Sequence, residues 1–175
     1  MRVAVVYESV FGDTEVVAGA VASGLREGCR HRLHVEPDVR LASVEEPALE
    51  VCAGIHLLVA GGPTHFGRLS WRVTRLAAGH GHPATRGGMR GWLRHVPPGD
   101  HRPAVCFDTR LDQATWLTGS AATAIGRRLT RLGWDVRTTE SFFVTGLDGP
   151  LAIGEKERAR RWGATLCRQL PSPPP

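Results

Sequence analysis

The sequence predicts an α/β protein with a doubly wound parallel sheet, and three observations support this fold class. Short apolar runs rich in β-branched residues alternate with longer stretches whose apolar residues recur at helical spacing. The most strongly apolar runs are each followed directly by a loop of small residues. The order β-α-β-α-β-α-β-α-β-α is typical of a sheet covered by helices on both faces. Ligands of such sheets bind beyond the carboxyl ends of the strands, so these loops are the candidate site.

The first strand, loop and helix form the clearest unit of the chain. Residues 3–6 are a compact apolar run of the kind expected for a strand covered on both faces. From Val17 to Gly28, small and apolar residues fall at the i, i+3, i+4, i+7 and i+8 spacing of one helix face. The loop between them, residues 7–14, would direct unpaired N–H groups and the positive end of the helix dipole out of the sheet. This arrangement predicts an anion-binding loop.

Four further strands are predicted from the same kind of pattern. The alternating stretch 32–36 suits an edge strand with one wetter face. Residues 55–60 and 104–107 are expected to be strongly buried strands, followed by loops over residues 61–67 and 108–118. Residues 141–145 form the last predicted strand.

Helices are predicted between these strands. A short helix begins at 46–49. Pro47 does not lower the stability of this helix, because the N–H groups of the first turn have no partner within the helix. Trp71, Val73 and Leu76 fit a helix ahead of a Gly/His/Pro loop at 79–83, and another helix covers 86–95. Two more helices open at 119–122 and cover the apolar stripe within 159–170. The proline-rich tail, 171–175, is predicted to be disordered.

Length and composition predict one cytoplasmic domain over residues 1–170. The chain enters its first strand without a charged and apolar leader, and no apolar run reaches the roughly 20 residues that a membrane span requires. The four cysteines are scattered, with no C-x-x-C pair and no metal-like spacing, which indicates reduced structural thiols.

The net charge of +5 comes almost entirely from arginine, since Lys156 is the single lysine. The densest arginine groups, within 127–131 and 158–161, lie beside apolar helical stripes and are interpreted as solvated faces. Nucleic-acid binding is not expected, because the basic residues are spread over several helices instead of gathering on one face with aromatics. An acidic protein partner that docks electrostatically is the alternative.

The first loop lacks the motifs of nucleotide-binding loops. Neither G-x-x-x-x-G-K-[ST] nor G-x-G-x-x-G is present, and the loop has one glycine, Gly12, hydroxyls at Ser9 and Thr14, and no lysine or arginine. Backbone N–H groups and neutral hydroxyls suit a small phosphomonoester better than a nucleoside triphosphate with magnesium. The alternative is that Asp13 or Thr14 only caps the first helix.

Other catalytic chemistry has little support in the sequence. There is no Ser-His-Asp order, no paired-carboxylate site and no zinc spacing. His80 and His82 form a possible metal pair, but two histidines in a Gly/Pro loop are more often exposed residues that bind no metal.

Three loops carry a resemblance to a known family. Residues 9–15, Ser-Val-Phe-Gly-Asp-Thr-Glu, resemble the phosphate loop of the flavodoxin family, whose pattern is approximately T/S-x-T/S-G-N-T. Residues 59–67 resemble the family's second flavin loop, and residues 107–110 with 119–121 resemble its third. The ending from 143 to 163 is similar to a flavodoxin-like branch associated with actinobacteria. The resemblance spans about residues 1 to 170.

This resemblance implies a three-layer sandwich around a five-stranded parallel sheet of order 2-1-3-4-5 that binds FMN. The phosphate would lie in the first loop and the isoalloxazine between the second and third, with His65 or Phe66 stacked on the ring. The implied cofactor-binding residues are Ser9, Val10, Phe11, Gly12, Asp13, Thr14, Pro63, Thr64, His65, Phe66, Gly67, Asp108, Thr109, Arg110, Leu111 and Trp116.

Two positions depart from the family pattern. Phe11 stands where many flavodoxins have a hydroxyl, and Asp13 stands where asparagine is usual. Two unit charges about 5 Å apart repel by roughly 0.8 kcal/mol in water and about 3 kcal/mol at an effective dielectric of 20. A carboxylate facing the phosphate is therefore expected to weaken FMN binding.

The resemblance leaves three functions open. The first is an electron shuttle that serves a redox partner protein. The second is a quinone-reductase-like enzyme that uses a small quinone-like acceptor, with catalysis supplied by the flavin. The third is an interaction or regulatory module that has lost FMN.

Overall fold

A computed structural model describes residues 1–34, 36–65, 68–69, 88–112, 119–146 and 149–170. The predicted helix around Trp71, the loop at 79–83 and the tail lie outside these residues. The strands are β1 (Arg2–Tyr7), β2 (Asp38–Ser43), β3 (Leu57–His65), β4 (Arg68–Leu69), β5 (Pro103–Leu111) and β6 (Asp135–Val144). The helices are α1 (Asp13–Leu33), α2 (Ala48–Val51), α3 (Gly88–Trp92), α4 (Ala121–Arg131) and α5 (Glu155–Thr165), with a 3-10 helix at Leu166–Gln169.

Five parallel strands form the sheet in the order β2-β1-β3-β5-β6. The two-residue strand β4 pairs with the end of β3, in an antiparallel manner. Counting the parallel strands alone, this is the predicted order 2-1-3-4-5. Tyr7 of β1 pairs with Gly61, and Gly61 pairs with Phe107 of β5, so the carboxyl ends of these strands lie side by side.

Alternating residues of each strand face two separate cores, which makes the protein three layers thick. Val5 and Phe107 pack in one core with residues of α1 and α5. Ala4 and Cys106 pack in the other, with residues of α2, α3 and α4. The near-continuous burial of β1 and β5 follows from this two-sided cover.

The predicted edge strand at 32–36 is wrong. Helix α1 continues to Leu33 and ends at His34, which has a left-handed backbone conformation, and β2 begins only at Asp38. Basic residues in the last turn, including Arg30 and Arg32, favour this extension because cations stabilise the carboxyl end of a helix.

The strands on either side of the candidate site are longer than predicted. Residues 61–65 belong to β3 and residues 108–111 belong to β5, so both predicted loops begin later. Gly61 permits this extension, because a methyl group there would lie 2.2 Å from the Phe107 ring. The last strand also begins earlier, at Asp135.

All four cysteines are buried and free. Burial raises the pKa of the Cys52 thiol to about 11 and that of Cys106 to about 12, so both are protonated at neutral pH. In the part of the chain that the structure describes, no helix is long and apolar enough to span a membrane.

Helices α1 and α5 pack with their backbones in direct contact through glycines. A methyl group on Gly24 would lie 1.9 Å from the carbonyl oxygen of Arg160, and one on Gly28 would lie 2.2 Å from that of Ala164. Gly163 of α5 makes the reciprocal approach to the Val21 carbonyl oxygen, at 2.3 Å. These distances leave no room for any other residue type.

Two side chains of α5 occupy the outer edge of β6. Glu155 accepts a hydrogen bond from the Phe143 N–H at 2.8 Å, and the Arg158 guanidinium donates to the Ser141 carbonyl oxygen. Arg158 also pairs with Glu155 at 2.7 Å and with Glu140 at 2.5 Å. Arg158 was predicted to belong to a solvated face, and this prediction is wrong. Arg158 satisfies an edge strand that would otherwise present unpaired backbone groups.

The glycine contact predicts a position-specific cost within α1. Gly24→Ala is expected to lower the free energy of unfolding by about 2 kcal/mol, since overpacking forces the helices apart. Gly19→Ala is the matched control, because nothing lies within 4 Å of a methyl group there. This control is expected to be neutral or to gain up to about 1 kcal/mol from helix propensity. Urea unfolding of both variants measures the difference, and equal effects would contradict the contact.

The β6 edge predicts a pH-dependent contribution to stability. Hydrogen bonding from Arg158 holds the pKa of Glu155 below its ordinary value of 4.5. A carboxyl with a lowered folded pKa stabilises the fold above its unfolded pKa and loses that contribution as the pH falls through the folded pKa. Wild type is thus expected to exceed Glu155→Gln in stability at neutral pH, with the difference shrinking below about pH 4.5. Urea unfolding from pH 3 to 7 tests this, with Glu157→Gln as an exposed control.

Candidate functional site

A cleft lies at the carboxyl edge of the sheet, where β1, β3, β5 and β6 end beside the start of α1. It brings together residues of all three predicted loops. We call it the carboxyl-edge cleft, and its lining consists of Val10, Phe11, Asp13, Thr14, Pro63, Thr64, Thr109, Arg110, Leu111, Val144 and Gly146.

The first loop is held in shape by its own serine. The Ser9 hydroxyl oxygen accepts from the N–H of Gly12 at 3.1 Å and from that of Glu15 at 3.3 Å. Gly12 has a φ of 100°, a backbone conformation that favours glycine, and α1 begins at the next residue. Ser9 therefore shapes the loop from within and satisfies one N–H group of the first helical turn.

Two N–H groups at the start of α1 are left available. The Val16 N–H donates to the Gly12 carbonyl oxygen, and the Glu15 N–H donates to Ser9. Among the described residues, the N–H groups of Asp13 and Thr14 have no hydrogen-bond acceptor. Both residues line the cleft. Open N–H groups at the positive end of a 21-residue helix are a favourable environment for an anion.

A pair of buried hydroxyls lies beside these groups. Thr14 Oγ1 and Thr109 Oγ1 are 2.7 Å apart, and both residues are at most 4% exposed. One hydroxyl donates its proton to the oxygen of the other, and the hydroxyl that accepts keeps its own proton, because each hydroxyl is both a donor and an acceptor. The other proton is available to an acceptor in the cleft.

Asp13 neither caps its own helix nor lies free. The N-cap residue of α1 is Gly12, without a side-chain cap, so the capping alternative for Asp13 is wrong. Its Oδ1 instead accepts from the Leu151 N–H at 3.1 Å, and a methyl group at Gly149 would lie 2.3 Å from its Oδ2. Burial raises the pKa of this carboxyl above its ordinary value. The carboxylate thus joins the first loop to the segment after β6, and Asp13 is also one of the residues that line the cleft.

The start of α4 is satisfied from within the protein, unlike the start of α1. Its first N–H groups donate to Thr64 Oγ1, Asp108 Oδ2 and Ser120 Oγ, at 2.8, 3.0 and 3.1 Å respectively. The same Asp108 oxygen accepts from the hydroxyls of Thr64 and Ser120. These three N–H groups at the start of α4 are therefore not available to bind an anion.

Arg110 contributes the positive charge of the cleft. It is 9% exposed, and its guanidinium carbon lies 5.3 Å from the centre of the Phe143 ring, a cation–π contact. Arg110 and Asp13 are the charged residues among the described residues that line the cleft.

Nine of the predicted site residues line the cleft, and the others fall into three groups. Ser9 and Gly12 shape the first loop, and Asp108 is fully buried behind the lining. His65 is the last residue of β3, where its backbone pairs with Arg68. Phe66, Gly67 and Trp116 lie outside the described residues. Sequence reasoning missed Val144 and Gly146 as lining residues, although their position after the last strand placed them at the same edge.

Comparison with known proteins bears on the fold. No protein-family model and no curated protein sequence matches the chain. Among solved structures, oxidised flavodoxin 2 from Bacillus cereus is similar with a TM-score of 0.67 and 16% identity, covering 97% of this chain and 100% of that one. A flavodoxin from the domain Archaea has a TM-score of 0.62 and 16% identity, covering 97% and 98%.

A flavodoxin, WrbA-like protein from Agrobacterium tumefaciens is similar over 97% of this chain and 99% of its own, with a TM-score of 0.56 and 16% identity. These similarities extend along the whole chain and include the strand order described above. The protein therefore has the flavodoxin-like fold.

Proposed function

We propose that the protein binds FMN non-covalently in the carboxyl-edge cleft and takes part in electron transfer. The observation that carries this proposal is the start of α1. Its Asp13 and Thr14 N–H groups have no acceptor among the described residues, and both residues line a cleft between the ends of β3 and β5. The flavodoxin structures that share this fold support the same choice of cofactor.

The phosphate end of the cleft fits a phosphomonoester. The N–H groups of Asp13 and Thr14 would hold the phosphate oxygens, and the proton left over in the Thr14–Thr109 pair would supply a further hydrogen bond. All of these donors are neutral. A charge of −2 held by neutral donors and a helix dipole requires no magnesium ion.

The ring end would lie between Pro63 and Thr64 on β3 and Arg110 and Leu111 on β5. When bound, FMN supplies the reversible uptake of electrons, and the protein orients it and tunes its potential. The guanidinium of Arg110 would favour negative charge on the reduced cofactor, whereas Asp13 at the other end opposes negative charge on the phosphate.

Asp13 is also the observation that favours a second candidate, a flavodoxin-like interaction module without FMN. Asp13 lines the cleft, and its carboxylate Oδ1 is held in place by the Leu151 N–H. Repulsion between that carboxylate and a phosphate would be about 1 to 3 kcal/mol, depending on how well water screens the pair.

Our proposal places the protein in the cytoplasm and assigns it a redox partner protein. Four buried free thiols suit a reducing compartment, and the net charge of +5 suits an acidic partner. The enzyme alternative uses a small quinone-like acceptor, and steady turnover of a quinone with a reduced nicotinamide would distinguish it from a shuttle.

The first prediction of this proposal is that purified protein takes up FMN and prefers it to riboflavin. The phosphate contributes through the α1 start, so FMN is expected to bind at least tenfold more tightly. Fluorescence titration with both flavins measures this preference. A colourless protein that ignores millimolar FMN would overturn the proposal and favour the interaction module.

The second prediction concerns Asp13. Asp13→Asn removes the charge but keeps an oxygen for the Leu151 N–H, so FMN is expected to bind about tenfold more tightly. Riboflavin affinity should not change, because riboflavin has no phosphate. Glu15→Gln is the matched control, since it makes the same charge change in the same helical turn at an exposed residue outside the cleft lining. Equal FMN affinity in wild type and Asp13→Asn would mean that the carboxylate does not act on the phosphate.

A further inference from the structure

The sheet pairing between β3 and β5 stops at the cleft. The last parallel pair is Pro63 with Thr109, and proline has no N–H group with which to continue the ladder. Beyond it, Thr64 and His65 pair with the short strand β4 instead. The ladder therefore no longer fixes the spacing between the two strand ends at the point where they line the cleft.

A single carboxylate oxygen continues the connection. Asp108 Oδ2 accepts from Thr64 Oγ1 at 3.0 Å, from Ser120 Oγ at 2.7 Å and from the Ala122 N–H at 3.0 Å. Thr64 Oγ1 in turn accepts from the Ala121 N–H at 2.8 Å. These contacts join the end of β3, the end of β5 and the start of α4 at one point.

The other oxygen of this carboxylate does not contribute a hydrogen bond. Asp108 is 0% exposed, and its Oδ1 is buried with no hydrogen-bond partner among the described residues. A buried carboxylate oxygen without a partner lowers stability. The carboxylate is thus poorly matched to a purely stabilising role, whereas its bonded oxygen lies behind both walls of the cleft.

We propose that Asp108 is a positioning residue that sets the gap between the β3 and β5 walls of the carboxyl-edge cleft, and hence the fit of the flavin ring. This inference rests on the proposed function. It differs from the role that the family resemblance implied, because Asp108 lies behind the lining and acts through Thr64 and the start of α4.

The test is Asp108→Asn, read against both flavins. A neutral amide weakens hydrogen bonds to the three donors and places an unpaired NH2 group at the position of Oδ1, so the walls should loosen. FMN and riboflavin affinities are each expected to fall about tenfold, by the same factor, because both flavins carry the ring. Glu155→Gln is the control, since it neutralises another buried carboxylate that accepts a backbone N–H, at a residue that neither lines the cleft nor contacts Thr64 or α4.

Three results are decisive when wild type binds flavin. An equal loss for both flavins in Asp108→Asn but not in Glu155→Gln supports the proposal. Unchanged affinity in a folded Asp108→Asn protein would overturn it, and so would a loss confined to FMN, which would place the effect at the phosphate end. Ser120→Ala removes one of the three donors and substitutes as the test if Asp108→Asn does not fold.

Amide hydrogen exchange separates this inference from the proposed function. If wild type binds neither flavin, the proposed function fails, but the positioning role remains measurable in the free protein. Faster exchange of the Ala121 and Ala122 N–H groups in Asp108→Asn, and not in Glu155→Gln, then supports the role. Unchanged exchange at both positions would overturn it.

Discussion

The backbone contact between α1 and α5 fixes the geometry on which the rest of the site depends. Gly24, Gly28 and Gly163 let the two helices touch without intervening side chains. With α1 held at this distance over one face of the sheet, its first turn meets the end of β1 at the carboxyl edge. The direction of the α1 dipole into the cleft is thus set by packing far from the cleft itself.

At that edge the first N–H groups of α1 and those of α4 differ in their hydrogen bonding. The first N–H groups of α4 donate to the side chains of Thr64, Asp108 and Ser120. The positive end of the α4 dipole therefore already has a carboxylate of the protein beside it. At α1, Ser9 accepts from the Glu15 N–H, whereas the N–H groups of Asp13 and Thr14 have no acceptor in the part of the chain that the structure describes. The two ends of the cleft therefore differ: the end at α1 favours an anion, whereas the end toward α4 already has a carboxylate at its helix start.

Among the described residues, three charged groups lie in the cleft or directly behind it, and each is held by a different contact. Arg110 stacks on Phe143, Asp13 is bonded to the Leu151 N–H, and Asp108 is tied into the start of α4. Because each charge is fixed by packing or hydrogen bonding, none can swing away freely when a charged ligand enters. The balance between the open N–H groups and Asp13 therefore decides how tightly a phosphate is held.

The sequence by itself determined the fold class, the strand order through its family resemblance, and the placement of the first loop. These features follow from local patterns, since apolar period and loop composition are properties of neighbouring residues. It failed at 32–36, where α1 with its basic last turn extends to Leu33 and β2 begins only at Asp38, and at the starts of the second and third loops. Those boundaries depend on pairing with another strand.

Only the tertiary structure decided what the polar side chains of the site do. Asp13 finds its partner 138 positions away in the chain, and Thr64 meets Asp108 across 44 positions. Such partners are chosen by the register of β3 against β5 and by the path of the chain after β6, neither of which a local pattern encodes. For the same reason Asp108, expected in a flavin loop, is buried at the junction of two strands and a helix.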